Sequence, residues 1–238
     1  MAVLSVNLNK VALLRNSRTL GLPSVVDAAK TCIDSGAQGI TVHPRPDERH
    51  IRRQDVYDLA EMLTVEFNIE GNPFPDFMRI VKDVRPAQCT LVPDSPEQFT
   101  SDHGWDVAAN EDHLKQVIGE LKEMDIRVSL FMDADSEEFE TVAAVGADRV
   151  ELYTEPYAAA FGGDQFEASL ALFKDAVDRA KACGLGINAG HDLNLDNLPP
   201  LCRETDILEV SIGHALVADA LWLGLPDTVR RYVEACRA

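Results

Sequence analysis

Short runs of β-branched residues alternate with segments of helical periodicity along the whole chain, and this alternation restricts the possible folds more than any other feature. The runs cover residues 3–9, 39–44, 66–71, 88–93, 127–134, 148–154, 186–191 and 207–214. Each is followed by a helix-like segment, and the mean interval of about thirty residues is typical of βαβ units. Near-continuous apolar strands indicate a parallel sheet that is covered on both faces. Eight units in 238 residues predict an α/β fold, a single (β/α)8 TIM barrel domain with extra helical segments over residues 1–238.

The joints between the predicted elements support this fold. Gly36, Gly146 and Gly184 each follow an apolar helical segment, as is typical of a left-handed C-cap, and a strand begins soon after each of them. The structural alternative is an open doubly wound sheet, which usually has fewer strands and a glycine-rich first turn. The first turn here, residues 7–18, contains no glycine, so the barrel is favoured.

The chain is strongly acidic, with 22 Lys and Arg residues against 40 Asp and Glu residues and a formal net charge of -18. No run of Lys and Arg is longer than two residues, so we expect no nucleic-acid partner and no binding to anionic membranes. Small anionic substrates are compatible with this charge where local donors outweigh the repulsive background.

The five cysteines show no CxxC spacing, which indicates reduced, buried thiols and a cytoplasmic protein. The first ten residues lack the basic region that opens a signal peptide. No apolar stretch approaches the ~20 residues that a membrane span needs, so we expect no membrane association.

Catalytic side chains of a (β/α)8 barrel cluster at the carboxyl ends of its strands. Polar residues and glycines fall at these positions here, and they include four of the six histidines. The residues at or just past the predicted strand ends are Asn7, Asn9, Lys10, His43, Arg45, His50, Glu70, Glu151, Tyr153, Asn188, Gly190, His191, Gly213 and His214, and the loop after the fourth strand contains Thr100 and His103.

Glu70 follows a strand that should be buried on both sides. Burial raises the pKa of such a carboxyl and suits it to general acid–base catalysis near neutral pH. The alternative is a structural ion pair with an Arg or Lys that lines the barrel.

The two histidines at the second and seventh strands have similar alternatives. A buried histidine whose ring nitrogens only form hydrogen bonds within the core is as plausible for His43 as a catalytic histidine. The neighbouring Arg45 favours a functional role. His191 lies between Gly190 and Asp192, which predicts a tight, exposed turn and favours a functional role.

Gly190 and Gly213 mark a candidate phosphate site. A helix begins directly after Gly213, and its N-terminus offers free N–H donors to an anion. Phosphate sites of this barrel often lie after strands seven and eight. The alternative is that both glycines merely ease strand-to-helix turns.

Several other catalytic motifs are absent from the sequence. It contains no zinc-binding spacing, no nucleophile elbow and no Walker loop. We therefore expect no metal site. Among the lysines only Lys10 is expected at a strand end, the position that a Schiff-base lysine would need.

Seven motifs resemble, in the same order, those of the pyridoxine 5'-phosphate synthases: VNLNKVALLRNSR, GITVHPRPDERHI, FNIEGN, CTLVPD, VSLFMDAD, INAGHDLN and SIGHALV. The similarity runs from Val6 to about Gly224. HxRxDxRHI together with NAGH and IGHA is not a generic pattern of this barrel, so the resemblance is specific.

This resemblance implies an enzyme that joins 3-amino-2-oxopropyl phosphate to 1-deoxy-D-xylulose 5-phosphate by ring closure. The products are pyridoxine 5'-phosphate, inorganic phosphate and water. It implies small phosphorylated substrates, no metal or organic cofactor, and a homo-octamer built from four dimers.

The resemblance also assigns roles to individual residues. His43, Glu70 and His191 match the acid–base groups of the family. The contacts to the sugar phosphate match Asn9, Lys10, Arg45, His50 and Thr100. The contacts to the aminoketone phosphate match Asn7, Arg18, Gly190 or its neighbour Asp192, Gly213 and His214.

The sequence departs from the commonest family pattern at two places. Asn9 and Lys10 stand where many members have Asp and His, and Asp192 stands where the common form has Gly.

The irregular stretch 94–111 contains Gly104 and is expected to fold over the mouth of the barrel and exclude water.

Two other functions fit parts of the pattern. One is another phosphosugar isomerase or aldolase on the same barrel, which would need a single phosphate site. The other is a non-catalytic barrel that binds a metabolite, against which the clustered His, Glu and Arg residues argue.

Overall fold

Eight parallel strands close into a barrel in the computed structural model, which describes residues 1–237. From β1 to β8 the strands are Val3–Asn7, Gly39–Val42, Glu66–Gly71, Gln88–Leu91, Arg127–Met132, Arg149–Tyr153, Gly186–Gly190 and Glu209–Ile212. Each strand pairs in parallel with its neighbours in the sequence, and β8 pairs with β1. The predicted (β/α)8 barrel is therefore confirmed, and each of its strands lies within a predicted run.

Eleven α-helices surround the barrel within residues 1–237. From α1 to α11 they are Asn9–Asn16, Val25–Asp34, Arg53–Met62, Pro75–Val84, Glu111–Lys122, Phe139–Ala144, Glu155–Ala160, Phe166–Ala182, Leu198–Glu204, His214–Leu223 and Leu225–Ala235. Two helices follow each of β1, β6 and β8, which confirms the predicted extra helical segments. None of the helices in this range combines the length and apolar character needed to cross a membrane.

The three glycines expected at helix ends have the expected backbone. The φ angles of Gly36, Gly146 and Gly184 are 105°, 96° and 81°, in the left-handed region that glycine adopts without steric cost. Each chain segment then turns directly into the next strand. This is the local reason why helix and strand alternate along the sequence.

Strand alternation divides the buried residues between two layers. In β1, Leu4 and Val6 are fully buried in the apolar core, while Ser5 belongs to a set of buried polar residues. The hydroxyl oxygens of Ser5 and Thr41 lie 2.7 Å apart, and Thr90 donates to Asn68 Oδ1 at 3.1 Å. These bonds join strands around the barrel, so its interior is polar and leads directly to the mouth where the strands end.

Candidate active site

Glu70 lies near the end of β3, buried to 8% exposure. Asn7 Nδ2 donates to its Oε2 at 3.3 Å and Ser211 Oγ donates to its Oε1 at 3.4 Å. Burial raises the pKa of the carboxyl to about 8, and the negative charges of Asp94 and Glu209 also raise it, whereas the Ser211 bond lowers it. Near neutral pH the carboxyl is therefore mostly protonated and has a proton to give.

His43 follows the last residue of β2 and is buried. Its backbone N–H donates to Asn9 Oδ1 at 2.9 Å, which ties the end of β2 to the start of α1. Burial, followed by the positive charge of Arg45, holds the pKa of the ring well below its usual range. The neutral imidazole is thus ready to accept a proton.

His191 follows β7 with a φ of 86°, a left-handed conformation that is uncommon for a residue with a side chain. Thr154 supports this turn, because its Oγ1 lies 2.7 Å from the carbonyl oxygen of Gly190 and 2.5 Å from that of His191, and the two oxygens share its one hydroxyl proton. The ring packs edge-on against Phe131 and Tyr153. Burial lowers the pKa of His191, while the nearby Asp192 carboxylate opposes that shift.

Asp192 is exposed and has a φ of 56°, so two successive residues of this turn are left-handed. Asn197 Nδ2 donates to its carbonyl oxygen at 3.2 Å. Asp tolerates this region better than most residues, which explains how the chain keeps the turn without the usual glycine.

Arg45 is buried beside the mouth and forms an ion pair with Asp94, whose carboxylate also accepts a bond from Ser101 Oγ at 2.7 Å. Arg45 Nη1 donates to the carbonyl oxygen of Gln98 at 2.8 Å. A guanidinium has five N–H donors, so these two interactions leave donors for a substrate. The ion pair also anchors the segment after β4 beside the mouth.

The segment after β4 is held from a second side by Arg49. Its guanidinium donates to the carbonyl oxygens of Pro96, Gln98 and Phe99 at 3.1, 3.0 and 3.3 Å. Farther along, a Cβ on Gly104 would overlap the backbone of β5, so the chain passes too close to that strand for any side chain. These contacts hold the segment beside Arg49 and β5, and its covering of the mouth stays a prediction.

His50 lies in the turn between β2 and α3. Its Nδ1 accepts a hydrogen bond from the backbone N–H of Ile51 at 2.8 Å. Burial and the positive charges of Arg45 and Lys10 lower its pKa to about 4. The ring centroids of His43 and His50 are 6.3 Å apart, so both rings line the same part of the mouth.

The structure corrects the expected end of the first strand. β1 ends at Asn7, and Asn9 and Lys10 occupy the first turn of α1. The chain turns because Asn7 Oδ1 accepts the N–H of Asn9 at 2.9 Å, which starts the helix at once. Lys10 still lies near the mouth, since its charge lowers the pKa of both His50 and His191.

The two glycines of the expected phosphate site make close contacts. A Cβ on Gly190 would overlap Glu151 Oε1, and a Cβ on Gly213 would lie 3.1 Å from Asn7 Cβ. His214 is exposed and begins α10, as expected of a helix N-terminus beside Gly213. Both glycines therefore make room for polar side chains of the mouth.

Arg18 and Thr100 are not brought against the other candidate residues. Both are exposed, Arg18 in the turn after α1 and Thr100 in the segment after β4. No side-chain hydrogen bond joins either of them to another residue within the described range 1–237. Their expected ligand contacts stay predictions.

The sequence matches the family described as "Pyridoxal phosphate biosynthesis protein PdxJ" over residues 4–238. The chain belongs to this family. Similar proteins named pyridoxine 5'-phosphate synthase include those of Porphyromonas gingivalis, 55% identical over 98% of each chain, and Bacteroides fragilis, 54% identical over the whole of both chains. Another, from Xanthomonas campestris, is 56% identical over 97% of this chain and 94% of its own.

Solved structures outside the PdxJ family share the barrel. Phosphoribosylanthranilate isomerase from Thermotoga maritima is 13% identical with a TM-score of 0.62, covering 100% of this chain and 99% of its own. Thiamine phosphate pyrophosphorylase from Pyrococcus furiosus is 13% identical with a TM-score of 0.63, covering 99% and 95%. At this identity the likeness shows the fold alone.

Sequence reasoning missed two residues that contact the candidate site of this PdxJ protein. Ser211 binds Glu70 and Asp94 binds Arg45. Ser211 carries a weak signal, because it lies two residues after Glu209 on the inward face of β8. Asp94 also carries a signal, because it ends the motif CTLVPD directly after the fourth predicted run, but only folding shows that its partner is an arginine 49 residues away.

Proposed function

We propose that this PdxJ protein is a pyridoxine 5'-phosphate synthase that condenses 3-amino-2-oxopropyl phosphate with 1-deoxy-D-xylulose 5-phosphate. The observation that carries the proposal is the buried, proton-bearing Glu70 in one mouth with His43 and His191. The charge of Arg45 influences the pKa of all three groups. Together they form one electrostatically coupled acid–base site.

The chemistry requires both proton donors and proton acceptors. Joining an amine to a ketone, losing water and phosphate, and closing the ring each move protons. Glu70 has a raised pKa and starts as an acid, whereas His43 and His191 have lowered pKa values and start as bases. These side chains supply the proton transfers without a metal or organic cofactor, and activity should survive treatment with a chelator.

Two phosphorylated substrates require two sites with hydrogen-bond donors. We assign the sugar phosphate to Asn9, Lys10, Arg45, His50 and Thr100. Two cations among these, Lys10 and Arg45, act on the same histidine, His50, which supports a shared anion site against the acidic background of the chain.

We assign the aminoketone phosphate to Asn7, Arg18, Gly190, Asp192, Gly213 and His214. The support is the start of α10 directly after Gly213, because the first N–H groups of a helix favour an anion. Arg18 is exposed at the surface, so its part in this site requires that the turn after α1 moves or contacts another subunit.

The deciding experiment incubates the purified protein with both substrates and follows fluorescent pyridoxine 5'-phosphate and released inorganic phosphate. A synthase releases phosphate only when both substrates are present. An isomerase or aldolase converts one substrate alone, and a metabolite-binding barrel binds without turnover. Either of the last two results would contradict the proposal.

We further propose a homo-octamer of four dimers. Large apolar side chains are exposed on α1, on the turn that follows it and on α10, namely Leu13, Leu14, Leu20, Leu22, Leu221 and Trp222, and α1 packs against α10. Such a concentration favours a protein interface. Sedimentation of the wild type and of Trp222→Glu tests this, and a monomeric wild type would contradict it.

A cytoplasmic location is also proposed. All five cysteines, each within residues 1–237, are free thiols and three are buried, as is typical of a reducing compartment. Fractionation of cells that express the tagged protein tests the location.

A further inference from the structure

Two arginines of the motif LLRNSR have different environments. Arg18 is exposed, whereas Arg15 is buried at 7% exposure and holds the carboxylate of Asp55 with two nitrogen atoms. The Nη2–Oδ2 distance of this pair is 2.9 Å. A two-point contact fixes the plane of the guanidinium, so Asp55 determines where the remaining N–H groups of Arg15 point.

Arg15 in turn orients its neighbour in the sequence. Arg15 Nε donates to Asn16 Oδ1 at 3.1 Å, which directs the amide nitrogen of Asn16 away from the arginine. That nitrogen lies 3.2, 3.1 and 2.8 Å from the carbonyl oxygens of Glu48, Arg49 and His50. One side-chain amide thus gathers three successive carbonyl groups of the turn before α3.

The same turn is held at two further points. Arg15 Nη2 donates to the carbonyl oxygen of His50 at 3.0 Å, and Asp55 Oδ2 accepts the backbone N–H of Arg52 at 2.7 Å. Residues 48–52 are therefore wrapped around the pair Arg15 and Asp55. The contacts come from the helices α1 and α3, and α3 begins directly after the turn.

This wrapping determines the chemical state of the His50 ring. The held turn places the Ile51 N–H 2.8 Å from His50 Nδ1, so Nδ1 is an acceptor and the neutral ring has its proton on Nε2. The Nε2–H is then the group that His50 offers to a ligand. A ring free to rotate would offer either nitrogen.

We propose that Arg15, Asn16 and Asp55 are positioning residues that hold residues 48–52 so that His50 donates its Nε2–H to the sugar phosphate. The identity of that ligand rests on the proposed function. The arrangement serves position more than stability, because a buried ion pair contributes little compared with apolar residues of similar volume. Arg15 Nη2 and the amide nitrogen of Asn16 both donate to this one turn.

The first test is kinetic and uses Asn16→Ala and Asn16→Asp, since removing a partner of the buried Arg15–Asp55 pair threatens folding. Losing the shared donor should raise KM for 1-deoxy-D-xylulose 5-phosphate about tenfold. KM for the aminoketone phosphate and kcat should stay within about threefold. Gln116→Ala, which removes an exposed amide bonded to Glu120 on α5, is the matched control and should change neither constant.

The second test is an NMR titration of the substrate-free protein, with the His50 signal assigned by its loss in His50→Gln. In the wild type the ring should show the Nε2–H tautomer and titrate near pH 4. In Asn16→Ala part of the neutral ring should change to the Nδ1–H tautomer, because the turn no longer holds the Ile51 N–H against Nδ1. The pKa should stay low, because burial still lowers it. The Arg45, Lys10, Arg49 and Asp47 charges around the ring are unchanged in that variant.

The two tests separate the positioning role from the proposed function. A wild type that makes no product would remove the substrate assignment, and the NMR titration would then decide the positioning role alone. An unchanged tautomer in both folded Asn16 variants would overturn the proposal. So would an equal rise in both KM values.

Discussion

Ser211 Oγ lies 3.4 Å from Glu70 Oε1, and this hydrogen bond opposes the effect of burial on the Glu70 carboxyl. Ser211→Ala removes the bond and should raise the pKa of Glu70 above about 8. The limb of the pH–rate profile that reports Glu70 should move to higher pH, whichever protonation state the reaction requires. Profiles of kcat/KM for the wild type and the variant measure the shift.

Ser129→Ala is the matched control for this prediction. Like Ser211, Ser129 is a buried serine on a barrel strand, but its Oγ has no hydrogen-bond partner within residues 1–237. Ser211→Thr keeps a hydroxyl and should keep the limb in place. A limb that moves equally in Ser129→Ala would show a general effect of barrel packing instead.

Glu70→Gln should abolish most activity while the fold and substrate binding persist. Glutamine has nearly the same shape but cannot take up or release a proton, and losing a general acid–base group lowers kcat by ~10²–10⁴. Single-turnover rates test the loss of activity, and circular dichroism tests whether the fold persists. A folded variant with at least about one third of wild-type kcat would be incompatible with the assigned role.

Gly213→Val should weaken the aminoketone phosphate more than the sugar phosphate. The φ of Gly213 is -124°, which any residue adopts, so the effect comes from crowding: its Cβ would lie 3.2 Å from the Oδ1 of Asn7. We expect KM for the aminoketone phosphate to rise about tenfold or more, since overpacking costs roughly 1–3 kcal/mol.

Separate titrations of the two substrates measure the effect of Gly213→Val. Gly119→Ala is a suitable control, because an added Cβ there meets no atom within 4 Å. It lies inside α5 and should stabilise the protein by about 0.5–1 kcal/mol. Equal losses for both substrates in Gly213→Val would refute the assigned phosphate site.

Lys10 should act as an electrostatic contact for the sugar phosphate and not as a Schiff-base nucleophile. The aminoketone substrate brings its own amine, so the enzyme needs no second one, and the family pattern that the sequence resembles has a histidine here. Lys10→His should therefore keep substantial activity, while Lys10→Ala should mainly raise KM for the sugar phosphate. Borohydride trapping with that substrate alone, followed by mass spectrometry, tests the alternative, and a reduced adduct at Lys10 would establish it.

Stability should fall as the pH rises from about 6.5 to 8. Burial raises the pKa of Glu70 from 4.5 to about 8, that of Glu209 to about 7 and that of Glu151 well above its usual range. The folded state therefore binds more protons than the unfolded state above pH 4.5, and that advantage is lost as the pH rises through the folded pKa values.

Three histidines of the mouth act in the opposite direction at lower pH. They are His43, His50 and His191, and burial lowers their pKa values below 6.5. Below pH 6.5 the unfolded state therefore binds more protons than the folded state, and stability falls on acidification. The carboxyls and histidines offset one another between about pH 4.5 and 6.5. Urea unfolding from pH 5 to 9 checks this, and the alkaline fall should be shallower in Glu70→Gln. A stability that rises from pH 6.5 to 8 would contradict the burial of these carboxyls.

The amino-acid sequence by itself determined the barrel and the ring of polar residues at its mouth. Helical and strand periodicity, with glycines such as Gly36 at helix ends, are local properties that a reader can follow along the chain. In a parallel barrel every strand ends at the same face. His43, Glu70 and His191 could therefore be placed together before any coordinates were known.

Only the tertiary structure decided which polar groups pair across the barrel and beside it. Glu70 contacts Ser211, which lies 141 residues away in the sequence. The sequence does not show that Arg15, and not Arg18, forms a buried ion pair, nor that Arg45 forms one with Asp94. The start of α1 at Asn9 likewise depends on how the Asn7 side chain turns the backbone. Hydrogen bonds and ion pairs act over about 3 Å, and only the packed chain determines which groups come within that distance.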